Sequence, residues 1–245
     1  MLRQLTPKSC YPLGESTSFP PNPLMSVSAI VKFPRREVSD QRKLSSVYLG
    51  EEVRKLAASL GWFLSWDVKL FYLINIRLQN SLFDFSMPVL TNLHYWRIPL
   101  VGIWLALMIW GGKRGRLAAG AGVLALLFSD QLSSHLLKPL FARVRPCHTL
   151  SGVRLLVGCS GSYSLPSSHA TNCFSIATLF SLEYRKAALP LIVIALLVSY
   201  SRVYVGVHYP LDVLTGVFLG VICGRATWEI KKQTIAALAK RRKFN

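Results

Sequence analysis

Acidic residues are scarce in this chain: 11 Asp and Glu stand against 29 Lys and Arg, which gives a net charge of +18 at pH 7. Charged residues of both signs are also few, at 16% of the sequence, whereas 51% of the residues are hydrophobic. A soluble nucleic-acid-binding domain carries its positive charge on a polar surface, so this composition excludes that class and predicts no nucleic-acid partner. An aromatic content of 11% argues against a disordered basic chain. An integral membrane protein, in which basic residues flank apolar segments, accounts for both the charge and the hydrophobicity.

Metal-binding patterns are also missing. None of the five cysteines forms a pair or a Cys/His cluster with the spacing of a zinc site, so we expect no metal and no other cofactor. Cys173 and Cys223 lie in apolar segments and are expected to pack as small hydrophobic side chains. Cys147 and Cys159 bracket eleven residues of one loop, and a disulfide between them is a hypothesis that requires this loop to face an oxidising compartment.

The composition divides the chain into three parts. Residues 1–55 contain six prolines, several serines and mixed charge, but no charged start, apolar core and cleavage site of a signal peptide. We expect them to form a poorly ordered Pro/Ser-rich basic tail. Residues 56–230 are predicted to form a membrane-embedded domain, and residues 231–245 a basic cytoplasmic tail.

Five apolar segments approach the length that crosses about 30 Å of hydrocarbon; they cover residues 97–110, 117–138, 168–182, 187–205 and 210–228. The first and third are short and need flanking residues. Upstream, residues 56–76 are hydrophobic but contain Asp67 and Lys69, and residues 82–93 form a short helix candidate after Asn80. These two segments are either a spanning helix with a surface helix or a re-entrant hairpin. We therefore predict an all-α, polytopic transmembrane bundle of five to six spanning helices, with an active site at one membrane face.

Charge predicts the orientation of this bundle. The basic runs 113–116 and 185–186 and the C-terminal tail all fall on one side of a five-helix arrangement. By the positive-inside rule this side is cytoplasmic, so the loops 139–167 and 204–209 face outward. Arg143, Arg145 and Arg154 lie in the first outward loop, against the rule, and need another explanation.

Three short motifs flank the outward ends of the helices and can converge at one membrane face. They are Lys138 with Arg145-Pro146, then Pro166-Ser167-Ser168-His169, then Ser201-Arg202 with His208 and Asp212. An arginine fork matches phosphate oxygens, and a lysine adds a point charge. The helix that starts near His169 offers free N–H groups and a positive dipole end, with Ser167 and Ser168 as further donors. These residues together predict a site for one phosphoryl group.

The two motif histidines indicate the reaction. Asp212 follows His208 by four residues, so both share one face if a helix starts at Pro210. A carboxylate bound to one ring nitrogen fixes the tautomer and leaves the other nitrogen free to attack, which makes His208 the candidate nucleophile. His169 would protonate the leaving oxygen and then activate water. The cations neutralise the transferring group, so no metal is required.

The order Lys-x6-Arg-Pro, Pro-Ser-x-His and Ser-Arg-x5-His-x3-Asp resembles the phosphatidic acid phosphatase type 2 superfamily. The match covers residues 138–212, and Ser168 stands where that family often has glycine. The helical segments resemble the membrane-bound branch of the family. The resemblance implies a phospho-histidine mechanism with His208 as nucleophile, Asp212 as its orienting group and His169 as acid and base.

A membrane lipid phosphatase is the leading functional hypothesis. An outward site in a bacterial inner membrane suits undecaprenyl diphosphate, while phosphatidylglycerol phosphate, phosphatidic acid or a lipid A phosphate fit the same site. A lipid phosphotransferase would use the same phospho-histidine with an acceptor other than water. Vanadate-dependent oxidation fits a membrane protein poorly, and a non-enzymatic lipid-binding protein would need neither a nucleophile nor an acid. The expected partners are the lipid phosphate substrate and membrane lipids.

Three residues outside this mechanism have simpler interpretations. For Arg143 and Arg154 we expect contacts with lipid headgroups. Asp130 lies inside an apolar helix and recurs with Ser134 and Lys138 on one face, so it is expected to face the bundle interior. Polar packing is the preferred role for Asp130 and catalysis the alternative.

Overall fold

The computed structural model describes residues 61–241, and it contains helices but no strand within that range. The predicted all-α class is therefore confirmed there. The predicted N-terminal tail, residues 1–55, lies outside the described residues.

The helices follow one another with short connections. Helix α1 covers residues 61–72 and continues as the π-helical turn Leu73–Arg77. Then follow α2 (Ser81–Thr91), α3 (Leu93–Trp110), α4 (Gly112–Asp130), the π-helical segment Gln131–Leu137, α5 (Lys138–Phe141), α6 (Pro146–Thr149), α7 (Ser168–Glu183), the 3₁₀ turn Arg185–Ala187, α8 (Ala188–Tyr204) and α9 (Pro210–Arg241). The helix expected over residues 82–93 is α2, and the short segment expected from residue 97 extends back to Leu93.

Side chains with helix-capping preference mark the first boundaries. The side chain of Asn80 accepts a hydrogen bond from the Phe83 N–H at the start of α2, as its position predicts. Asn92 ends α2 and caps α3 by accepting from the His94 N–H. Because Asn92 is extended and serves both helices, α3 starts immediately where α2 stops.

Helix α7 lies at the centre of the bundle and packs against α4, α8 and α9. Its contact with α9 is close: a Cβ at Gly220 would lie 2.4 Å from the Thr171 carbonyl oxygen, and one at Gly224 would lie 2.3 Å from the Ser175 oxygen. Small residues at this spacing allow two helix backbones to approach directly, as is common in membrane bundles. Larger side chains at either position would push α9 away from α7.

Within residues 61–241, four helical segments are long and apolar enough to cross a membrane: Leu93–Trp110, Gly112–Thr149, Arg185–Tyr204 and Pro210–Lys240. The 16-residue helix α7 is shorter, although it is surrounded by spanning helices. The protein is thus an integral membrane helix bundle, while the count of five to six spanning helices stays a prediction.

The two ends of the bundle differ in charge. At what we call the basic end, Arg114 at the start of α4 and Lys231 on α9 both bind Glu183 at the end of α7. At what we call the site end, α7 and α9 begin and α8 ends. Helix α9 continues to Arg241, past the expected boundary at residue 231.

Candidate active site

The structure brings the three sequence motifs together at the site end. Lys138 begins α5, Ser167 precedes α7, and Arg202 lies in the last turn of α8. His208 lies in the connection between α8 and α9, and Asp212 lies in the first turn of α9. His169 is within electrostatic range of His208, Lys138, Arg145 and Arg202. All eight predicted site residues therefore surround one small region.

The three predicted phosphate-binding cations are buried: Lys138, Arg145 and Arg202 are only 8%, 4% and 8% exposed. None of the three has a carboxylate within 4.0 Å in the part of the chain that the structure describes. Buried charges are costly unless they are paired. Three unpaired cations around one region therefore mark a place where a bound anion is stabilised.

Polar contacts hold the two arginines in place. Arg145 donates from Nε to the Ser162 carbonyl oxygen at 2.8 Å and from Nη1 to the Val207 oxygen at 3.0 Å. Arg202 donates from Nη1 to the hydroxyl of Thr91, the last residue of α2, and its buried Nε has no partner. No sequence pattern singles out Thr91, because α2 is far from the motifs in the chain.

The start of α7 adds hydroxyl and backbone donors. The Ser167 Oγ is buried and lacks a hydrogen-bond partner, while Ser168 Oγ lies 2.9 Å from Ser134 Oγ. Ser134 in turn donates to Asp130 at 3.2 Å, and Asn172 of α7 reaches the same carboxylate at 3.4 Å. Asp130 thus faces the bundle interior and joins α4 to α7, as the polar-packing interpretation expects.

The contacts of His208 define its tautomer. His208 Nε2 lies 3.0 Å from Arg145 Nη1, and because arginine has only donors, Nε2 must carry the lone pair. The proton then lies on Nδ1, 3.6 Å from Asp212 Oδ2. Burial is the main cause that lowers the pKa of His208 to about 3, so the ring is neutral at neutral pH. Nε2 is therefore the ring nitrogen that carries the lone pair, and it lies beside Arg145.

Arg143 does not reach lipid headgroups as expected. Its Nη1 binds Asp212 Oδ1 at 2.7 Å and its Nη2 binds Asp67 Oδ2 at 2.5 Å, while its guanidinium lies 4.0 Å from the Tyr209 ring centroid. Asp67 also accepts from the Leu211 N–H at 2.8 Å. The expectation was wrong because both carboxylates are buried and need a cation. Asp67, an acidic residue inside the apolar segment 56–76, was the sequence feature that could have indicated this ion pair.

Arg154 also departs from the headgroup expectation. It pairs with Asp84 of α2, and its guanidinium lies 5.3 Å from the Tyr204 ring centroid of α8. The Tyr204 hydroxyl donates to the same aspartate at 2.5 Å. These contacts tie the outward loop and α2 to the end of α8.

A disulfide joins Cys147 and Cys159, which confirms the hypothesised pairing. Cys173 is half-buried and Cys223 is buried, and both are free thiols as expected. Arg145 directly precedes Pro146 and Cys147, and it donates to the carbonyl oxygen of Ser162, which follows Cys159. The disulfide therefore joins the two segments that this hydrogen bond also connects. His148 lies beside the pair, with ligand atoms of all three residues within 4.8 Å of one another, but the two sulfurs are bonded to each other and we assign no metal there.

All three motifs lie within the part of the chain that is similar to a known protein family. The sequence model of the PAP2 superfamily matches residues 119–235. The chain is 36% identical to the lipid A 4′-phosphatase of Porphyromonas gingivalis over 48% of its own length and 52% of that protein. It is 31% identical to the undecaprenyl-diphosphatase BcrC of Bacillus subtilis over 60% of its own length and 74% of the relative.

A solved structure shares the fold as well as the sequence. The crystal structure of Aquifex aeolicus LpxE aligns with a TM-score of 0.54 at 31% identity, covering 66% of this chain and 94% of that one. The alignment covers nearly all of the known structure, so the similarity applies to its whole helix bundle.

Proposed function

This chain belongs to the PAP2 superfamily, and we propose that it is an integral membrane hydrolase that removes a terminal phosphate from a lipid. The observation that carries the proposal is the set of three buried cations without carboxylate partners, in the described residues, around the neutral Nε2 of His208. A phosphate monoester or diphosphate brings the negative charge that these cations lack. The helices around the site are long and apolar enough to cross a membrane, so the lipid tail of the substrate would remain in the bilayer.

Hydrolysis would proceed through a phospho-histidine. The Nε2 lone pair of His208 forms a bond to phosphorus, and the bond from phosphorus to the lipid oxygen breaks with its electron pair going to that oxygen. His169, in its protonated form, donates a proton to the leaving oxygen and becomes neutral. Neutral His169 then takes a proton from water, whose oxygen attacks phosphorus, and the bond from phosphorus to Nε2 breaks with its electron pair returning to the imidazole of His208. Inorganic phosphate leaves, and His169 is protonated again.

The remaining site residues would stabilise the charge that develops in both steps. Lys138, Arg145 and Arg202 bind the non-bridging oxygens, with the N–H groups at the start of α7. The buried Ser167 hydroxyl adds a donor, and Ser168 supplies its backbone N–H. These interactions act on the transferring group and need no metal ion.

The substrate class follows from the membrane setting and from the relatives. We propose a lipid with a phosphate or diphosphate at the membrane surface. Undecaprenyl diphosphate and a lipid A phosphate are the first candidates, because similar proteins are named for these activities. Phosphatidylglycerol phosphate and phosphatidic acid present the same terminal group. A phosphotransferase would share the phospho-histidine but would need an acceptor other than water.

Phosphate release from a panel of these four lipids, by protein purified in detergent, tests the proposed function. We expect release from at least one lipid without any added acceptor, and equal release in the presence of EDTA. Release that requires an added acceptor would indicate the phosphotransferase instead. If no lipid phosphate in the panel is hydrolysed, the proposal is wrong.

We further propose that residues 56–230 form the phosphatase domain in a bacterial inner membrane, between the tail 1–55 and a cytoplasmic tail 231–245. The site would face the periplasm. Two features support this orientation: the runs of Lys and Arg lie at the basic end, and a disulfide lies at the site end, where an oxidising compartment would preserve it.

Cysteine labelling tests the orientation. Gln79 is exposed at the site end beside Asn80, whose N–H binds the Tyr204 hydroxyl, and Lys113 is exposed at the basic end. In a variant in which Cys10, Cys173 and Cys223 are replaced by serine, Gln79→Cys should react with an impermeant maleimide in intact spheroplasts. Lys113→Cys should react only after lysis. The reverse pattern would invert the proposed topology.

A further inference from the structure

A serine outside the predicted site residues contacts both the nucleophile and its carboxylate. Ser164 is fully buried, and its Oγ lies 3.3 Å from His208 Nδ1. The same hydroxyl donates to Asp212 Oδ2, whereas the direct distance from Nδ1 to that oxygen is 3.6 Å. The Ser164 N–H donates to the Arg143 carbonyl oxygen at 2.7 Å, which fixes the serine backbone. The imidazole and the carboxylate are therefore connected through this hydroxyl.

The direction of the hydrogen bonds follows from the number of protons. A serine hydroxyl has one proton, and the Asp212 carboxylate can only accept it. The Ser164 oxygen must then accept from His208, which places the imidazole proton on Nδ1. Arg145 requires the same tautomer from the opposite side of the ring, because it can only donate to Nε2. Two independent contacts thus agree on one protonation pattern.

Asp212 has little capacity left for a direct bond to the imidazole. Its Oδ1 accepts from Arg143 at 2.7 Å, and its Oδ2 accepts from the Tyr209 N–H at 2.8 Å as well as from Ser164. Oδ2 therefore already has two donors, and the imidazole Nδ1 lies closer to the serine oxygen, at 3.3 Å, than to Oδ2, at 3.6 Å. The negative charge of Asp212 polarises the Ser164 O–H and so makes the serine oxygen a stronger acceptor.

We propose that Ser164 is a positioning residue that holds His208 in the Nδ1–H tautomer and transmits the charge of Asp212 to it. This inference rests on the proposed phosphatase function. When Nε2 bonds to phosphorus, the imidazole ring becomes positive while its proton stays on Nδ1. The bond from Nδ1–H to Ser164 strengthens at that moment, because the acceptor oxygen is polarised by the carboxylate. Ser164 touches neither the phosphorus nor the leaving oxygen.

Ser164→Ala should lower kcat about 10- to 100-fold, the range expected for one hydrogen bond to a group that becomes charged. KM should change little, because the phosphate-binding cations are unaffected. Ser175→Ala is the matched control: Ser175 is also fully buried, but its hydroxyl contacts only the Ala125 carbonyl oxygen, at 3.4 Å. We expect the control to keep wild-type kcat and KM.

A double-mutant cycle separates transmission from general damage. If Asp212 acts through Ser164, adding Ser164→Ala to Asp212→Asn should cost less than about 3-fold beyond Asp212→Asn alone. Full multiplication of the two losses would show that the residues act independently and would overturn the inference.

The tautomer provides a readout that does not depend on turnover. Nitrogen-15 NMR of histidine-labelled protein, assigned by comparison with His208→Ala, should show His208 protonated on Nδ1 in the wild type. In Ser164→Ala the Nδ1 resonance should shift, because Nδ1–H loses its acceptor while Arg145 still donates to Nε2. A wild-type ring protonated on Nε2, or a slow Ser164→Ala enzyme with an unchanged Nδ1 resonance, would overturn the positioning role. A wild type without phosphatase activity but with the expected tautomer would reject the proposed function alone.

Discussion

His208→Ala is expected to lower phosphate release by at least about 10⁴-fold, because it removes the nitrogen that is proposed to attack phosphorus. The three cations would still bind the lipid phosphate, so binding should persist while turnover stops. Phosphate release and trapping of an acid-labile phosphoenzyme from radiolabelled substrate, in wild type and variant, measure both parts. We expect the trapped species in the wild type only.

The matched control for this variant is His135→Ala. His135 is exposed in the π-helical segment before Lys138 and belongs to none of the three motifs. It should keep wild-type turnover, so a loss specific to position 208 cannot come from removing a histidine near the membrane surface. Normal turnover by purified His208→Ala would refute the phospho-histidine mechanism.

The site residues that the sequence predicted are those that lie close together in the chain, within one of the three short motifs. His208 lies two residues before α9 and Asp212 lies in its first turn, while Ser167 and His169 flank the start of α7, so each pair is brought close by the start of one helix. Arg145 and Arg202 were predicted because an arginine at a membrane interface offers a planar fork that matches phosphate oxygens. For these residues the sequence was sufficient to predict convergence at one face.

The missed groups depend on contacts between distant segments. Asp67 lies 76 residues before Arg143, and Thr91 lies 111 residues before Arg202. Nothing in the local pattern around Arg143 distinguishes an arginine that meets lipid headgroups from one that meets a buried carboxylate. Ser164 was missed because a serine in a loop has many partners available, and only the folded site decides between them.

The fold shows the same division. Apolar length and flanking charge predicted α4, α8 and α9, because these helices are long and face lipid. The central helix α7 is only 16 residues long and buried by its neighbours, so its environment is set by the close α9 contact rather than by its own hydropathy. Identifying membrane spans from hydropathy is therefore least accurate for α7, the helix that carries part of the site.

Arg143 joins the catalytic region to the first helix by neutralising two buried carboxylates, those of Asp67 and Asp212. Together the three groups carry one negative charge, close to the unpaired cations of the phosphate site. Removing the arginine would leave two adjacent buried carboxylates without a cation. Removing the phosphate-site cations would instead leave this cluster intact. The two sets of charges thus have different roles, one fixing Asp212 and the other binding substrate.

Arg143→Ala should therefore lower the free energy of unfolding by about 3–5 kcal/mol, the range for breaking a buried ion pair by removing one partner. Phosphate release should also fall, because Asp212 loses the contact that fixes its Oδ1. Thermal unfolding of the purified protein in detergent, at fixed pH, measures the stability change. Arg225→Ala is the control, since Arg225 pairs with Glu229 and has a side chain 58% exposed, so it should cost no more than about 1 kcal/mol.

The second substitution Asp67→Asn distinguishes charge from packing. In the Arg143→Ala background it removes one of the two uncompensated carboxylates, so it should recover part of the lost stability while leaving side-chain volume nearly unchanged. In the wild-type background the same substitution should be destabilising, because it deprives Arg143 of a partner. A change of sign between the two backgrounds is specific to an electrostatic bridge. If Asp67→Asn has the same effect in both, Arg143 stabilises the site by packing on Tyr209 and not by joining the two carboxylates.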